Sequence, residues 1–281
     1  MISYRIVQSK QNARLQELRA ALAHPARSGG PLAGIEGINL LKEALHAGLR
    51  IDTVFAAHGT EDLLQTLPLS PENEVLLLPK KLLDSALTTE TPQPVAALVE
   101  PPTWNWSDVL RRRENAAPLV VVLAGLQDPG NLGTILRSAE AFGASGVLAL
   151  PGTVSPWNPK AVRASAGSLF RIPLLAVPVE ECFSRLHKNG LRIFTTSVRG
   201  AEPVHLADLA GPTALLIGNE GNGVPPELAA LADAAITIPC PGPVESLNAS
   251  VAAAVLLYEA LRQRMEHRGS SSNNGRNRRP Q

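Results

Sequence analysis

Three short stretches of the chain carry side chains whose types and spacing suit chemistry. The first, Gln127-Asp-Pro-Gly-Asn-Leu-Gly-Thr-Ile-Leu-Arg137, holds Asn131, Gly133 and Arg137. With a helix beginning near Pro129, Asn131 lies in its first turn and Arg137 almost two turns later. There a planar, permanently charged guanidinium can be aimed at a phosphate or a ribose; a surface or interface arginine is the plainer reading. The second, Gly218-Asn-Glu-Gly-Asn-Gly223, has the spacing G-x-x-G-x-G. That is not the dinucleotide-binding fingerprint, and no acidic partner follows a second strand. Glu220 is flanked by glycines and has little to pack on, so its carboxylate must bond a ligand or the backbone. The third, Glu245-Ser-Leu-Asn248, follows a stiff loop with three prolines and a glycine between Pro239 and Pro243. Ser246 is placed to cap the Ala/Val/Leu-rich helix that comes next. A stiff loop feeding a helix start presents free N–H groups to a polar ligand. Periodicity alone reads the same segment as a packing helix.

The elements that must position these stretches alternate along the chain. From Pro118 onward, Leu119–Ala124 is a continuous apolar run, as in a strand buried on both faces. Strands are expected at 146–150, 174–177, 191–196, 214–217 and near Ile236, with helices at 129–143, 159–166, 180–188, 226–231 and from Ser246 to Arg264. The pattern is that of a doubly wound parallel sheet, and each chemical stretch follows a strand, at the carboxyl edge where such sheets bind ligands. Before it, helices at 9–23, 35–48, 61–66 and 80–87 and strands at 51–57, 74–78 and 95–99 describe a small α/β domain. In the first helix Leu15, Leu18 and Leu22 share one face. The expected division is 1–100 for the small domain, 101–117 for a linker, 118–266 for the second domain and 267–281 for a tail without fixed structure.

Composition narrows the function classes. The 281 residues are 44% hydrophobic and 18% charged, with a net charge of +1, so the chain is globular and has no global basic field. Residues 1–110 hold 9 Lys/Arg against 12 Asp/Glu, and residues 111–281 hold 17 against 13. Arg5, Lys10, Arg14, Arg19 and Arg27 form either a basic face or an ordinary solvated one. Cys182 and Cys240 lack any partner spacing for a disulfide or zinc. No apolar run is long enough for a signal peptide or a membrane span. A reduced, cytoplasmic protein without a metal is expected, with the histidines structural or on the surface.

Taken in order, Asn131-x-Gly-x-x-x-Arg137, Ile217-Gly-Asn-Glu-Gly-Asn-Gly-Val224, Ile238-Pro-x-x-Gly242 and Ser246-Leu-Asn-Ala-Ser-Val-Ala252 resemble the signature motifs of the SpoU-type (TrmH-like) RNA ribose 2′-O-methyltransferases of the SPOUT superfamily. The resemblance covers 118–264 strongly. The first 100 residues are similar in outline to that family's substrate-binding domain, an L30e-like α/β module, chiefly through Gly34-Ile-Glu-Gly37. The resemblance implies a SPOUT domain with a deep trefoil knot. It implies S-adenosylmethionine as cofactor, contacted by Gly218, Ile238 and Leu247, joined by Thr196 and Ile217. It implies methyl transfer to a ribose 2′-hydroxyl, with Arg137, Asn131, Glu220, Ser246 and Asn248 as the catalytic set. RNA is the implied partner, ribosomal RNA ahead of transfer RNA, and a homodimer the implied assembly. A Rossmann-type oxidoreductase and a non-catalytic RNA-binding protein are the competing readings.

Overall fold

A computed structural model describes residues 3–24, 32–112, 116–197, 200–243 and 246–273. The chain divides into two compact units, one of Met1–Thr103 with Ser155–Arg171, the other of Trp104–Val154 with Ile172–Gln281.

The first unit is built on a five-stranded mixed sheet. Its strands are β1 (Tyr4–Ile6), β2 (Ala33–Glu36), β3 (Ile51–Ala57), β4 (Glu74–Leu78) and β5 (Val95–Val99), in the order β1-β4-β3-β5-β2. β2 and β5 run antiparallel to each other, as do β3 and β5. Helices α1 (Ala13–Ala23), α2 (Ile38–His46), α3 (Glu61–Gln65) and α4 (Lys80–Asp84) alternate with the strands. Leu15, Leu18 and Leu22 of α1 are buried in a core with Phe55, Leu76 and Leu98. The reading of one helix from Ile35 to Gly48 needs correction: Ala33–Glu36 is a strand, a turn follows at Gly37 (φ +100°), and only then does α2 begin. Four residues are too few to show strand alternation, and pairing with β5 decides their state. The unit also contains α7 (Pro159–Ser165), which packs on β2. Behind it Gly167 comes so close to Glu43 that a Cβ would lie 2.6 Å from the Glu43 Cβ. Glu43 in turn accepts from Arg171 at 2.6 Å.

The second unit is a seven-stranded sheet, parallel throughout. Its strands are β6 (Leu119–Leu123), β7 (Gly146–Ala149), β8 (Leu174–Ala176), β9 (Arg192–Thr196), β10 (Glu202–Pro203), β11 (Thr213–Ile217) and β12 (Ala234–Thr237). The order is β10-β12-β9-β11-β6-β7-β8. One face is covered by α5 (Trp106–Val109), α8 (Val179–Lys188) and α9 (Pro226–Ala229), through Val109, Cys182, Phe183, Leu186 and Leu228. Helices α6 (Pro129–Ala141) and α10 (Ala249–Asn273) pack on each other and on the sheet. The parallel doubly wound reading is therefore correct. β6, β9, β11 and β12 are neighbours and parallel, so the loops after them leave one edge, within about 15 Å at a strand spacing of ~4.8 Å. β6 and β11 meet where the strand order reverses, the place such sheets bind ligands.

Two local expectations differ. Ser246 does not cap the last helix; Asn248 does, its Oδ1 accepting from the N–H groups of Ser250 (2.9 Å) and Val251 (3.3 Å). Both residue types cap well, and the carboxamide two residues further on wins the start. The backbone of 269–273 continues α10, because extending a formed helix costs little per residue. Residues 274–281, including Arg276, Arg278 and Arg279, lie outside the described residues, as do Arg27 and Glu245.

Candidate active site

The loop after β6 turns at once into α6. Asp128 is its N-cap, its Oδ2 accepting from Asn131 N at 3.1 Å, and Pro129 occupies the first helical position, where its missing N–H costs nothing. This cap directs the Asn131 side chain into the edge of the sheet, where it is 7% exposed.

The loop after β11 folds back on itself. Asn219 and Gly223 exchange two backbone hydrogen bonds of 3.0 and 3.1 Å. Asn219 Oδ1 also accepts from the N–H groups of Gly221 and Asn222. Gly218 is dictated by this closure: a Cβ there would stand 2.0 Å from the Gly223 carbonyl carbon. The next helix, α9, opens only at Pro226. The glycines thus close a hairpin-like loop and do not open a helix over a pyrophosphate, which removes the Rossmann reading.

Glu220, at the tip of that loop, reaches back to the first motif. Its Oε1 accepts from Asn131 Nδ2 at 2.9 Å and from Asp128 N at 3.2 Å, and its Oε2 from Gln127 N at 3.4 Å. Burial pushes its pKa up, but the Asn131 amide and the surrounding backbone N–H groups outweigh that and hold it below the usual glutamate range. An ionised carboxylate only accepts, so the Asn131 amide nitrogen must face it. The Asn131 oxygen is then left to accept from Asn248 Nδ2, at 3.0 Å. The Asn248 oxygen, in turn, faces the first N–H groups of α10 and the Ser250 hydroxyl. One directional relay, Glu220–Asn131–Asn248, thus joins all three sequence motifs.

The other expected residues lie around this relay. Arg137 is exposed on α6, six residues and about 9 Å of helix beyond Asn131. It makes no hydrogen bond or ion pair among the described residues, so its charge is free for an anion. Ser246 is exposed, and Ile238 and Leu247 are half-buried. Ile217 is 2% exposed, and its carbonyl accepts from Ala124 N at 2.8 Å. The Thr196 hydroxyl donates to Leu216 O at 3.3 Å. Sequence reasoning left out Gln127 and Asp128, whose backbone N–H groups hold Glu220. The Asp-Pro pair at a helix start was the available signal. Among the described residues there is no group of three or more His, Cys, Asp or Glu that could hold a metal ion.

Fold and site together define a doubly wound parallel-sheet domain with an amide-carboxylate relay at its strand-order reversal, joined to a smaller mixed α/β unit. Residues 118–258 match the SpoU rRNA Methylase family, and residues 35–104 match the RNA 2'-O ribose methyltransferase substrate binding domain. The 23S rRNA (guanosine(2553)-2'-O)-methyltransferase RlmP of Bacillus subtilis is 29% identical over 254 residues, 90% of this chain and 97% of that protein. The 23S rRNA (uridine(2479)-2'-O)-methyltransferase of Streptomyces viridochromogenes is 31% identical over 279 residues, 94% of each chain. The crystal structure of the SpoU methyltransferase AviRb from Streptomyces viridochromogenes, in complex with AdoMet, superposes with a TM-score of 0.79 at 32% identity, over 91% of this chain and 99% of that one. The chain belongs to the SpoU rRNA methylase family.

Proposed function

We propose that this chain transfers a methyl group from S-adenosylmethionine to a ribose 2′-hydroxyl of 23S-type ribosomal RNA. The observation that carries the reading is the Glu220–Asn131–Asn248 relay, which draws three distant motifs to one ligand-binding edge and leaves Arg137 unpaired beside it. The ends of β9, β11 and β12 fit the cofactor. Gly218 offers only backbone, and Ile238 and Leu247, partly exposed, offer apolar surface to an adenine ring. Thr196 and Ile217 complete that set. When bound, S-adenosylmethionine supplies an electrophilic methyl carbon on a sulfonium.

The chain's own task is to place the 2′-oxygen in line and manage its charge. A guanidinium is a donor with no acceptor site, so Arg137 is unsuited to removing the proton. Its guanidinium stabilises the forming alkoxide or grips the neighbouring phosphate. Glu220 is no base either: its oxygens are occupied by three N–H groups and its pKa is low. It holds Asn131 and the head of α6 in place, and Asn248 extends that rigidity to α10. Ser246, exposed at the mouth, is left free to meet substrate. Relatives named as 23S rRNA methyltransferases favour ribosomal over transfer RNA, and the intact relay speaks against a non-catalytic RNA-binding protein.

In this reading residues 1–100 serve as the RNA-binding unit and 118–266 as the catalytic domain with its trefoil knot, while the expected linker 101–117 also contributes α5 to the second unit's core. A homodimer and a cytoplasmic location belong to it too; no helix among the described residues is long and apolar enough to cross a membrane. Dimerisation is supported by an apolar stripe on α10, where Val251, Val255 and Tyr258 are 49%, 38% and 56% exposed beside Thr134 of α6. Ala249 and Ala253, by contrast, face their own core. Mapping 2′-O-methylation on total RNA from a deletion strain and its parent tests the reaction. Loss of one ribosomal RNA methylation is expected; identical maps would overturn the reading.

A further inference from the structure

The edge that carries the relay also holds a crevice, within the same unit and lined by the loops after β6, β7 and β11. Its volume is about 510 Å³, the size of a small-ligand site. Leu150, Val179 and Leu228 form an apolar floor, and Leu231 stands at the rim, 44% exposed. Gly125 (φ +71°) and Gly152 (φ +87°) turn the chain at the ends of β6 and β7 and close the back with backbone alone. A Cβ on Gly152 would sit 3.6 Å from Gly125 Cα.

The rim carries Glu180, Glu227, Gln127 and Asn219. Glu180 and Glu227 make no hydrogen bond or ion pair among the described residues. Two unpaired carboxylates repel a phosphate and accept from amino groups. An apolar floor contacts the face of a flat ring. The occupant that meets both demands is a nucleobase with an exocyclic amino group. Carboxylates accept from such groups, and uracil has none. The crevice also shares two of its loops with the relay. Gln127 N donates to Glu220, and Asn219 precedes Glu220 in the chain.

We propose that this crevice holds an unpaired adenine, cytosine or guanine of the RNA, close along the strand to the methylated nucleotide, and so contributes to target choice. The proposal rests on the methyltransferase reading above, but its test does not need catalysis. Full-length protein is titrated with labelled oligo(A), oligo(C) and oligo(U) at one fixed salt concentration, and binding is read by fluorescence anisotropy. The wild type binds oligo(A) and oligo(C) about tenfold or more tighter than oligo(U), the expected size for a hydrogen bond to a charged group. The exposed double variant Glu180→Ala/Glu227→Ala loses that preference, and Leu231→Trp, which fills the mouth, loses it too. Both variants keep the wild-type melting temperature. Equal binding of the three RNAs by the wild type, or a preference that survives in both variants, overturns the proposal. A base preference found in a protein that methylates no ribosomal RNA would sink the methyltransferase reading and leave only the base-binding crevice standing, without its place beside a methylated nucleotide.

Discussion

Replacing Asn131 by aspartate keeps the side chain's shape and changes only the atom facing Glu220. In the wild type that atom is an amide nitrogen donating at 2.9 Å. In Asn131→Asp it becomes a carboxylate oxygen against a carboxylate. At that separation two unit charges repel by about 1.4 kcal/mol in water and about 6 kcal/mol at an effective dielectric of ~20. Glu220 is exposed on one side, so the lower end applies. Losing a hydrogen bond to a charged group adds about 1.5 kcal/mol, for roughly 3 kcal/mol in all. For a domain of this size that is a fall in melting temperature of about 6–12 °C at pH 8. The pH dependence carries the decisive sign. In the variant the two carboxyls titrate as a pair, and one of them has its folded pKa raised above the unfolded value. Its protonated form is favoured by folding, so the deficit is largest at high pH and shrinks as pH falls. In the wild type the folded pKa of Glu220 is lowered, so its contribution is present at neutral pH and fades as pH drops through that value. Both effects narrow the gap on acidification. Scanning calorimetry of both proteins from pH 8 to pH 4.5 measures it, with Asn131→Ala as a comparator whose gap stays flat down to the ordinary carboxylate range. A gap in Asn131→Asp that is the same at both ends would refute the claim that the amide holds an ionised Glu220.

Arg137→Ala is expected to keep S-adenosylmethionine binding by calorimetry and to lose most methyl transfer in a radiolabelled-methyl assay; near-wild-type transfer would remove Arg137 from the reaction. Gly218→Ala forces a methyl group into the Gly223 backbone, which cannot yield as a side chain can. It should cost about 3 kcal/mol or more, read in thermal melts, together with the closed form of the loop. Arg264 is 8% exposed and donates to the carbonyls of Ala117, Pro118, Leu209 and Gly211, pinning α10 to the chain ahead of β6 and β11. Arg264→Ala strands those neutral acceptors and should cost about 1–3 kcal/mol or more, and Arg264→Lys should recover little, since an ammonium cannot span the fork. Tyr258→Glu places a charge in the apolar stripe of α10. By light scattering it should be monomeric at concentrations where the wild type is dimeric, and a wild type that is itself monomeric would end the dimer proposal.

Much of the second unit was legible in the chain because its signals are local. A run such as Leu119–Leu123 is apolar at every position only if both faces are covered, and all five residues are buried. Glu220 stands out for a related reason, since a carboxylate flanked by glycines has no packing role to explain it, while Asn131 and Asn248 are marked by their places in the motifs. The cap of α10 was misread because Ser246 and Asn248 satisfy the same local rule. The choice between them came from Asn131, 117 residues away, which accepts the Asn248 amide proton. The strand Ala33–Glu36 was missed because its partner, β5, lies some 60 residues along the chain.

The sequence by itself determined the alternation of elements, the three motifs and their order, and the types of atom at the site. Only the tertiary structure decided that these atoms meet. β11 inserts between β9 and β6, so strands far apart in the chain become neighbours and their loops converge on one edge. Once converged, the carboxylate of Glu220 can only accept, and that single constraint sets the direction of every hydrogen bond from Gln127 to the head of α10. Spacing along a chain does not encode such a relay. It arises from parallel pairing of distant strands and from the requirement that buried polar groups find partners.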